Sequence, residues 1–183
     1  MTSIWSFILF IFLVPTGRSP YNDPGSITRQ YIETYKYLAI DEMHRTGIPA
    51  SIILAQAIVE SNAGTSPLAT EANNHFGIKC KSYWEGETYF QKDDDRDQNG
   101  RLIDSCFRKY SDIEASYTDH SDFLVNTLHY RPLFNNHRTD YSSWAKGLKE
   151  CGYATDKKYA DKIIQTIKNY GLDELDYYVV KYE

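Results

Sequence analysis

The chain has 183 residues, of which 42% are hydrophobic, and its formal net charge is -5. This length supports one compact domain with its own core and is too short for two ordinary domains. The acidic balance argues against a general nucleic-acid binder, which needs a basic face. The 16 Tyr, 8 Phe and 3 Trp residues fit two alternatives: packing at the edge of a core, or a ring-lined groove such as sugar-binding proteins use.

The N-terminal segment differs in composition from the rest of the chain. Residues 4–14 form an apolar run that is too short to span a bilayer but suits the apolar core of a secretory signal. No Lys or Arg precedes this run and no Ala-x-Ala site follows it, so residues 1–19 are either a cleaved signal peptide or a weak N-terminal anchor. We therefore predict export to the periplasm, the cell wall or the medium, with no stable membrane span after export.

Helical and strand-like patterns follow one another along the rest of the chain. Helical periodicity covers residues 26–47, 48–64, 66–72, 112–128, 140–152 and 157–171. Residues 87–91 and 101–110 are predicted strands, and the Asn99-Gly100 pair between them favours a tight turn.

The ends of the predicted helices carry recognisable signals. Pro49 suits the first turn of the second helix, and Gly64 is its predicted stop. Asp112 and Asp156 are predicted N-caps of later helices. The pattern predicts an α+β, mainly α domain in which a helical lobe and a small β-hairpin lobe flank a cleft, where ligands tend to bind.

Glu60 ends the apolar stretch AQAIVES. It shares a helix face with Ile53, Gln56 and Ala57, so its carboxyl is expected to be partly desolvated. Burial and the negative end of the helix dipole both raise the pKa of a carboxyl group. General-acid cleavage of a glycosidic bond requires an acid that stays protonated near neutral pH. The competing interpretation is a solvated glutamate at a frayed helix end.

Two cysteines flank the predicted hairpin. Export makes pairing plausible, so Cys80 and Cys106 are predicted to form a disulfide, with Cys151 as the odd thiol. The segment DRDQNGRLID resembles the start of an EF-hand calcium loop, but its twelfth position is Cys106 and strands flank it. We interpret the segment as a polar hairpin turn, with weak calcium binding as the alternative, and predict no metal site and no cofactor.

The stretch AQAIVESNAGTSPLATEANNHFGIK resembles the glucosaminidase domain of bacterial autolysins and flagellar muramidase-like proteins, glycoside hydrolase family 73. The stretches CFRKYSDIEASYTDHSDFL and WAKGLKECGYATDKKYADKIIQTIKNYGL resemble later parts of the same family, in the same order. We place this domain at residues 26–173 and a C-terminal tail at residues 174–183. The resemblance implies a lysozyme-like fold and an endo-β-N-acetylglucosaminidase, expected to be monomeric, that cleaves the β-1,4 bond after N-acetylglucosamine in peptidoglycan glycan strands.

The resemblance also implies roles for single residues. Glu60 occupies the position of the general acid. Relatives often carry a second carboxylate on the first hairpin strand, and counting back from Phe107 places it near Asp94. We rank Asp94 first, followed by Asp93 and Asp95, since an acid opposite Glu60 activates water or stabilises an oxocarbenium-like centre. Each of the three is equally well explained as part of a solvated acidic turn.

The remaining candidates are polar and aromatic residues. Tyr153 aligns with a cleft tyrosine of the family, where its hydroxyl holds the N-acetyl group or the attacking water; the alternative is a core tyrosine. Asn74 is expected to orient either the sugar or the loop backbone. The aromatic rings of Tyr83, Trp84 and Tyr89 either stack on sugar faces or pack in the core of the hairpin. The predicted substrate-binding set is Asn74, Phe76, Gly77, Tyr83, Trp84 and Tyr89.

Two other functions fit the same pattern. A peptidoglycan-binding domain that has lost catalysis is permitted because the usual hairpin glutamate is absent, although Glu60 and Tyr153 are both present. A lytic transglycosylase on the same fold needs a single acid and forms an anhydro product. The nature of the released glycan ends distinguishes all three.

Overall fold

A computed structural model describes residues 24–179, except for the side chain at position 94. The predicted signal segment therefore lies outside the described residues. In chain order the elements, with η for 3-10 helices, are α1 Pro24–Thr46, α2 Ala50–Ser61, α3 Pro67–Ala72, β1 Thr88–Arg96, β2 Leu102–Arg108, α4 Ile113–Asn126, η1 Leu128–Asn135, α5 Tyr141–Glu150, α6 Tyr159–Tyr170 and η2 Leu172–Tyr177. No helix in this part of the chain has the length and apolar character of a membrane span.

Helix α2 is the centre of the helical lobe. Ten of its twelve residues are buried, because its sequence is apolar on every side and other helices cover it. Helices α1 and α6 and the 3-10 helix η2 pack against it. The helix ends earlier than predicted: Asn62, Ala63 and Gly64 all have positive φ, and Asn62 already adopts the left-handed cap conformation. The predicted stop at Gly64 is therefore wrong by two residues.

The hairpin lobe consists of the antiparallel strands β1 and β2, with Tyr89 opposite Phe107 and a register irregularity between Lys92 and Arg96. Strand β1 continues to Arg96, so the acidic residues 93–95 lie in the strand and not in the connecting turn where the sequence placed them. The turn is short because the Asp97 carboxylate accepts hydrogen bonds from the backbone N–H groups of residues 99 and 101, each at 2.8 Å. Of the segment DRDQNGRLID, residues 97–101 form the predicted polar turn, whereas its first two and last three residues belong to the strands.

The two predicted N-caps have different outcomes. The Asp112 carboxylate accepts a hydrogen bond from the N–H of Ala115 at 2.8 Å and caps α4 as expected. The prediction for Asp156 is wrong, because α6 begins only at Tyr159. Asp156 lies in the turn before α6. There it accepts a hydrogen bond from the N–H of Lys158 and forms an ion pair with Lys162 of the helix.

The C-terminal 3-10 helix η2 is packed against the start of α2. The Asp176 side chain is buried there and accepts hydrogen bonds from the N–H and the hydroxyl of Ser51, at 2.8 and 2.7 Å. Packed structure therefore extends into the segment that the sequence predicts as a tail.

A disulfide in the structure joins Cys80, after the loop that follows α3, to Cys106 on β2, with a Cα–Cα distance of 5.3 Å. Cys151 is a free thiol. Together, the mainly helical lobe and the hairpin lobe with the cleft between them confirm the predicted α+β fold class.

Candidate active site

A cleft of about 430 Å³ lies between the two lobes. Glu60 reaches it from the last turn of α2, Asp93 from β1, and Tyr153 from the connection between α5 and α6. The described residues that line it are Glu60, Leu68, Phe76, Gly77, Ile78, Lys79, Lys81, Gln91, Asp93, Phe107, Arg108, Phe123, Tyr130, Tyr153 and Ala154.

Glu60 stands at the boundary between core and cleft. Ile53, Gln56 and Ala57, which precede it on its helix face, are fully buried as predicted, whereas Glu60 itself is exposed to the cleft. The surrounding protein still desolvates the carboxyl, and this burial raises its pKa above the ordinary value. The nearby Tyr159 hydroxyl and the charge of Lys162 lower the pKa by smaller amounts.

A buried polar contact lies beneath Glu60. The Gln56 side-chain amide donates a hydrogen bond of 3.0 Å to the Tyr159 hydroxyl, across 103 positions of sequence. Burial keeps the pKa of Tyr159 far above its ordinary value, so the hydroxyl stays neutral beside Glu60. Sequence reasoning assigned neither residue to the site, although the four-residue spacing of Gln56 from Glu60 was a visible signal.

Tyr153 forms part of the same wall. Its ring stacks on Tyr159 with 5.5 Å between centroids. Burial raises the pKa of Tyr153 well above 10, and the charge of Glu60 adds to the effect. In the part of the chain that the structure describes, its hydroxyl has no hydrogen-bond partner, so the hydroxyl is available to a substrate or a water molecule.

Asp93 is the member of the acidic run on β1 that lines the cleft among the side chains that the structure describes. Asp93 lines it together with Gln91, as expected for alternate residues of one strand face. The Lys79 ammonium contacts both Asp93 and Asp95 at 2.8 Å, and Asp95 also accepts a short hydrogen bond from Ser105. Asp94, which the sequence ranks first, lies in β1 between them, and its side chain is outside the described part of the structure.

The Asn-His-Phe-Gly motif, residues 74–77, contributes to the wall of the cleft. Asn74 is buried, and its side-chain amide donates to the carbonyls of Ile78 and Arg108, at 3.0 and 2.8 Å. Its amide oxygen accepts from the Ile78 N–H at 3.1 Å. Of the two predicted roles, the structure therefore assigns Asn74 the loop backbone and not the sugar. Phe76 and Gly77 do line the cleft.

The three predicted stacking rings lie elsewhere. Trp84 lines a separate groove beside Tyr110, and the Arg108 guanidinium covers its ring at 4.6 Å. The Tyr83 hydroxyl accepts from the same guanidinium at 3.2 Å. Tyr89 packs on Phe107, Leu68 and Ala72. The structure thus brings none of these rings into the cleft lining, because Arg108 and the hairpin core already occupy their faces.

The described lining of the cleft contains carboxyl, hydroxyl, ammonium and guanidinium groups. Among the described residues, no group of three or more His, Cys, Asp or Glu side chains is arranged to hold a metal ion. A desolvated acid and a neutral tyrosine on the helical lobe, with a strand carboxylate on the other side of the cleft, define a class of protein, the lysozyme-like glycoside hydrolases.

Within that class, the chain belongs to the Glucosaminidase family. The family model, described as mannosyl-glycoprotein endo-beta-N-acetylglucosaminidase, matches residues 36–172. This confirms the family resemblance found in the sequence.

Two curated relatives illustrate the similarity. The exo-glucosaminidase LytG of Bacillus subtilis (strain 168) is 39% identical over 132 residues, which cover 69% of this chain and 45% of LytG. The peptidoglycan hydrolase FlgJ of Vibrio parahaemolyticus is 30% identical over 139 residues, which cover 74% of this chain and 45% of FlgJ. The chain therefore spans less than half of the length of these relatives.

Solved structures agree with this assignment. The catalytic domain of the autolysin Auto from Listeria monocytogenes has a TM-score of 0.73 and 26% identity, over 82% of this chain and 88% of that domain. An N-acetylmuramoyl-L-alanine amidase from Staphylococcus aureus has a TM-score of 0.73 and 32% identity, over 85% of this chain and 45% of the amidase chain.

Proposed function

We propose that the protein is a peptidoglycan hydrolase, an endo-β-N-acetylglucosaminidase that cleaves the β-1,4 bond after N-acetylglucosamine in glycan strands. The observation that carries the proposal is Glu60, a carboxyl with a raised pKa that opens into the cleft. Membership of the Glucosaminidase family and similarity to proteins named as peptidoglycan hydrolases support the choice of substrate.

Glu60 protonates the oxygen of the leaving sugar as its glycosidic bond breaks. The neutral Tyr153 hydroxyl, which lacks a partner among the described residues, donates a hydrogen bond to the N-acetyl group or orients the attacking water. Both groups belong to the helical lobe, so one wall of the cleft supplies the proton and holds the reacting sugar.

The second carboxylate comes from the acidic run on β1. Asp93 is our first candidate because its described side chain lines the cleft, and the Lys79 ammonium at 2.8 Å stabilises a negative charge there. An ionised Asp93 activates the water or stabilises the positive charge that develops on the sugar ring. Reaction through these side chains and water requires no cofactor.

The site of action implies export, because peptidoglycan lies outside the cytoplasmic membrane. We propose that residues 1–19 direct this export and that the Cys80–Cys106 disulfide forms after it. Fractionation of producing cells, followed by peptide mapping of the exported protein without reduction, tests both points. Two free thiols in the exported protein would contradict the disulfide.

Mass spectrometry of fragments released from purified sacculi tests the activity. Hydrolysis after N-acetylglucosamine predicts fragments with reducing N-acetylglucosamine ends, and cleavage within strands predicts fragments of mixed length. Anhydro ends would instead identify a lytic transglycosylase. Binding to sacculi without any release would identify a domain that has lost catalysis.

A further inference from the structure

The cleft carries an unusual set of charges for an acidic chain. Among the described side chains, its charged lining residues are Glu60, Lys79, Lys81, Asp93 and Arg108. Three of these five are cations, whereas the whole chain has a formal net charge of -5. With three cations and two carboxylates, the described lining has a formal net charge of +1, opposite in sign to that of the whole chain.

Two of the three cations are neutralised within the protein. Lys79 forms ion pairs of 2.8 Å with Asp93 and Asp95. The Arg108 guanidinium binds both carboxylate oxygens of Asp119, at 2.7 and 2.8 Å. Such pairs leave little charge available to a ligand.

Lys81 differs from both. Its side chain lines the cleft, and within residues 24–179, apart from the undescribed side chain at position 94, no carboxylate pairs with it. Among the charged lining residues it is the cation whose charge the described structure leaves uncompensated.

The backbone on either side of Lys81 is fixed. The preceding residue, Cys80, is bonded to Cys106 and donates its N–H to the carbonyl of Cys106 at 2.8 Å. The Lys81 carbonyl accepts a hydrogen bond from the Trp84 N–H at 2.9 Å. Lys81 therefore lines the cleft from an anchored backbone, which reduces the entropy lost when its side chain binds a ligand.

We propose that Lys81 is a specificity-determining residue whose ammonium binds a carboxylate of the glycan strand. N-acetylglucosamine has no ionisable group, whereas N-acetylmuramic acid carries a lactyl carboxylate or a peptide that bears carboxylates of its own. Pairing with Lys81 favours strands that contain muramic acid over neutral chitin-type oligomers. This inference rests on the proposed function and adds the chemical feature by which the site selects its substrate.

Binding to three probes tests the inference, with the Glu60→Gln protein used to prevent cleavage. The probes are a neutral chitin oligosaccharide, peptide-free glycan strands with lactyl carboxylates, and peptide-bearing strands with stem carboxylates. Lys81→Gln is added to this background, with Lys81→Glu as a charge reversal. Lys168→Gln, at an exposed position on α6 outside the cleft lining, is the matched control.

The expected result is selective. Lys81→Gln should weaken binding to carboxylate-bearing strands about three- to fivefold, as loss of an exposed ion pair does. Lys81→Glu should weaken it further, and binding to the chitin oligosaccharide should not change. Weaker binding to peptide-free strands would identify the lactyl carboxylate as the partner of Lys81. Weaker binding that is confined to peptide-bearing strands would identify a carboxylate of the peptide stem.

An equal loss with all three probes, or no loss with any, would overturn the role of Lys81. Failure of the proposed function gives a different result, in which the parent protein binds no probe and the wild-type protein releases nothing from sacculi.

Discussion

A carboxyl group whose pKa is raised by burial lies at each end of helix α2, Asp176 of η2 at its start and Glu60 at its end, and the two groups have different surroundings. At the start, Asp176 is fully buried and both of its oxygens accept hydrogen bonds from Ser51. At the end, Glu60 opens into the cleft beside Tyr153. A raised pKa is therefore found both in a structural acid and in the acid that we propose as catalytic, and access to the cleft distinguishes the two.

The largest expected effect is on activity, at the cleft end of the helix. Glu60→Gln should lower turnover of peptidoglycan by at least about a hundredfold, because an amide cannot supply the leaving-group proton. The thermal midpoint should stay near that of the wild type, since Glu60 is exposed on one side. Glu85→Gln, on the exposed hairpin lobe, is the control and should keep full activity. Near-normal turnover by the Glu60 variant would remove the distinction between the two acids.

The acidic run on β1 is the next most sensitive place. Asp93→Asn should cost on the order of a hundredfold in turnover, as loss of a carboxylate opposite the acid does. Asp94→Asn should be nearly silent, because Asp93 is the residue that we propose as the second carboxylate. Asp104→Asn, at an exposed position on β2, is the control. Loss of turnover in Asp94→Asn with normal turnover in Asp93→Asn would restore the ranking made from the sequence. Normal turnover in both variants would instead indicate a mechanism with Glu60 as its single acid.

The structural end of the helix should respond in stability and not in activity. The folded-state pKa of Asp176 is raised from 3.8 to about 6, chiefly by burial. The stabilisation from its protonated form is therefore complete below about pH 4 and is lost as the pH rises through about 6. This contribution is on the order of 3 kcal/mol of unfolding free energy.

Asp176→Asn should remove this pH dependence while keeping one hydrogen bond from the Ser51 N–H. Urea unfolding of both proteins between about pH 4 and pH 7 provides the measurement. The wild type should lose stability relative to the variant as the pH rises, and both should release glycan fragments at similar rates. A constant difference across this range would show that Asp176 does not titrate there.

The smallest expected effect concerns the contact beneath Glu60. Tyr159→Phe removes a hydroxyl that lowers the pKa of Glu60, so the alkaline limb of activity should shift to higher pH. Gln56 loses its acceptor, which should reduce stability by about 1 kcal/mol. The pH profile of kcat/KM measures the shift, and Tyr170→Phe at the end of α6 is the control. An unchanged profile would mean that Tyr159 does not tune Glu60.

The sequence predicted the features that depend on residues close together in the chain. The periodicity around Glu60 identified its buried helix face, because residues three, four and seven positions apart share that face. Tyr159 was missed because its contact with Gln56 spans 103 positions. The choice between Asp93 and Asp94 depends on strand register, which the irregularity between Lys92 and Arg96 alters. Trp84 was assigned to sugar stacking because nothing local indicates that Arg108 covers its ring.

Direct titration of Glu60 tests the central claim. Side-chain carboxyl carbons of glutamate are labelled with carbon-13, and the Glu60 resonance is assigned by its absence from the Glu60→Gln spectrum. The account predicts a pKa above the ordinary 4.5 that coincides with the alkaline limb of kcat/KM, since activity falls as the acid loses its proton. A pKa at or below 4.5, or an alkaline limb that does not follow it, would contradict the role of Glu60 as general acid.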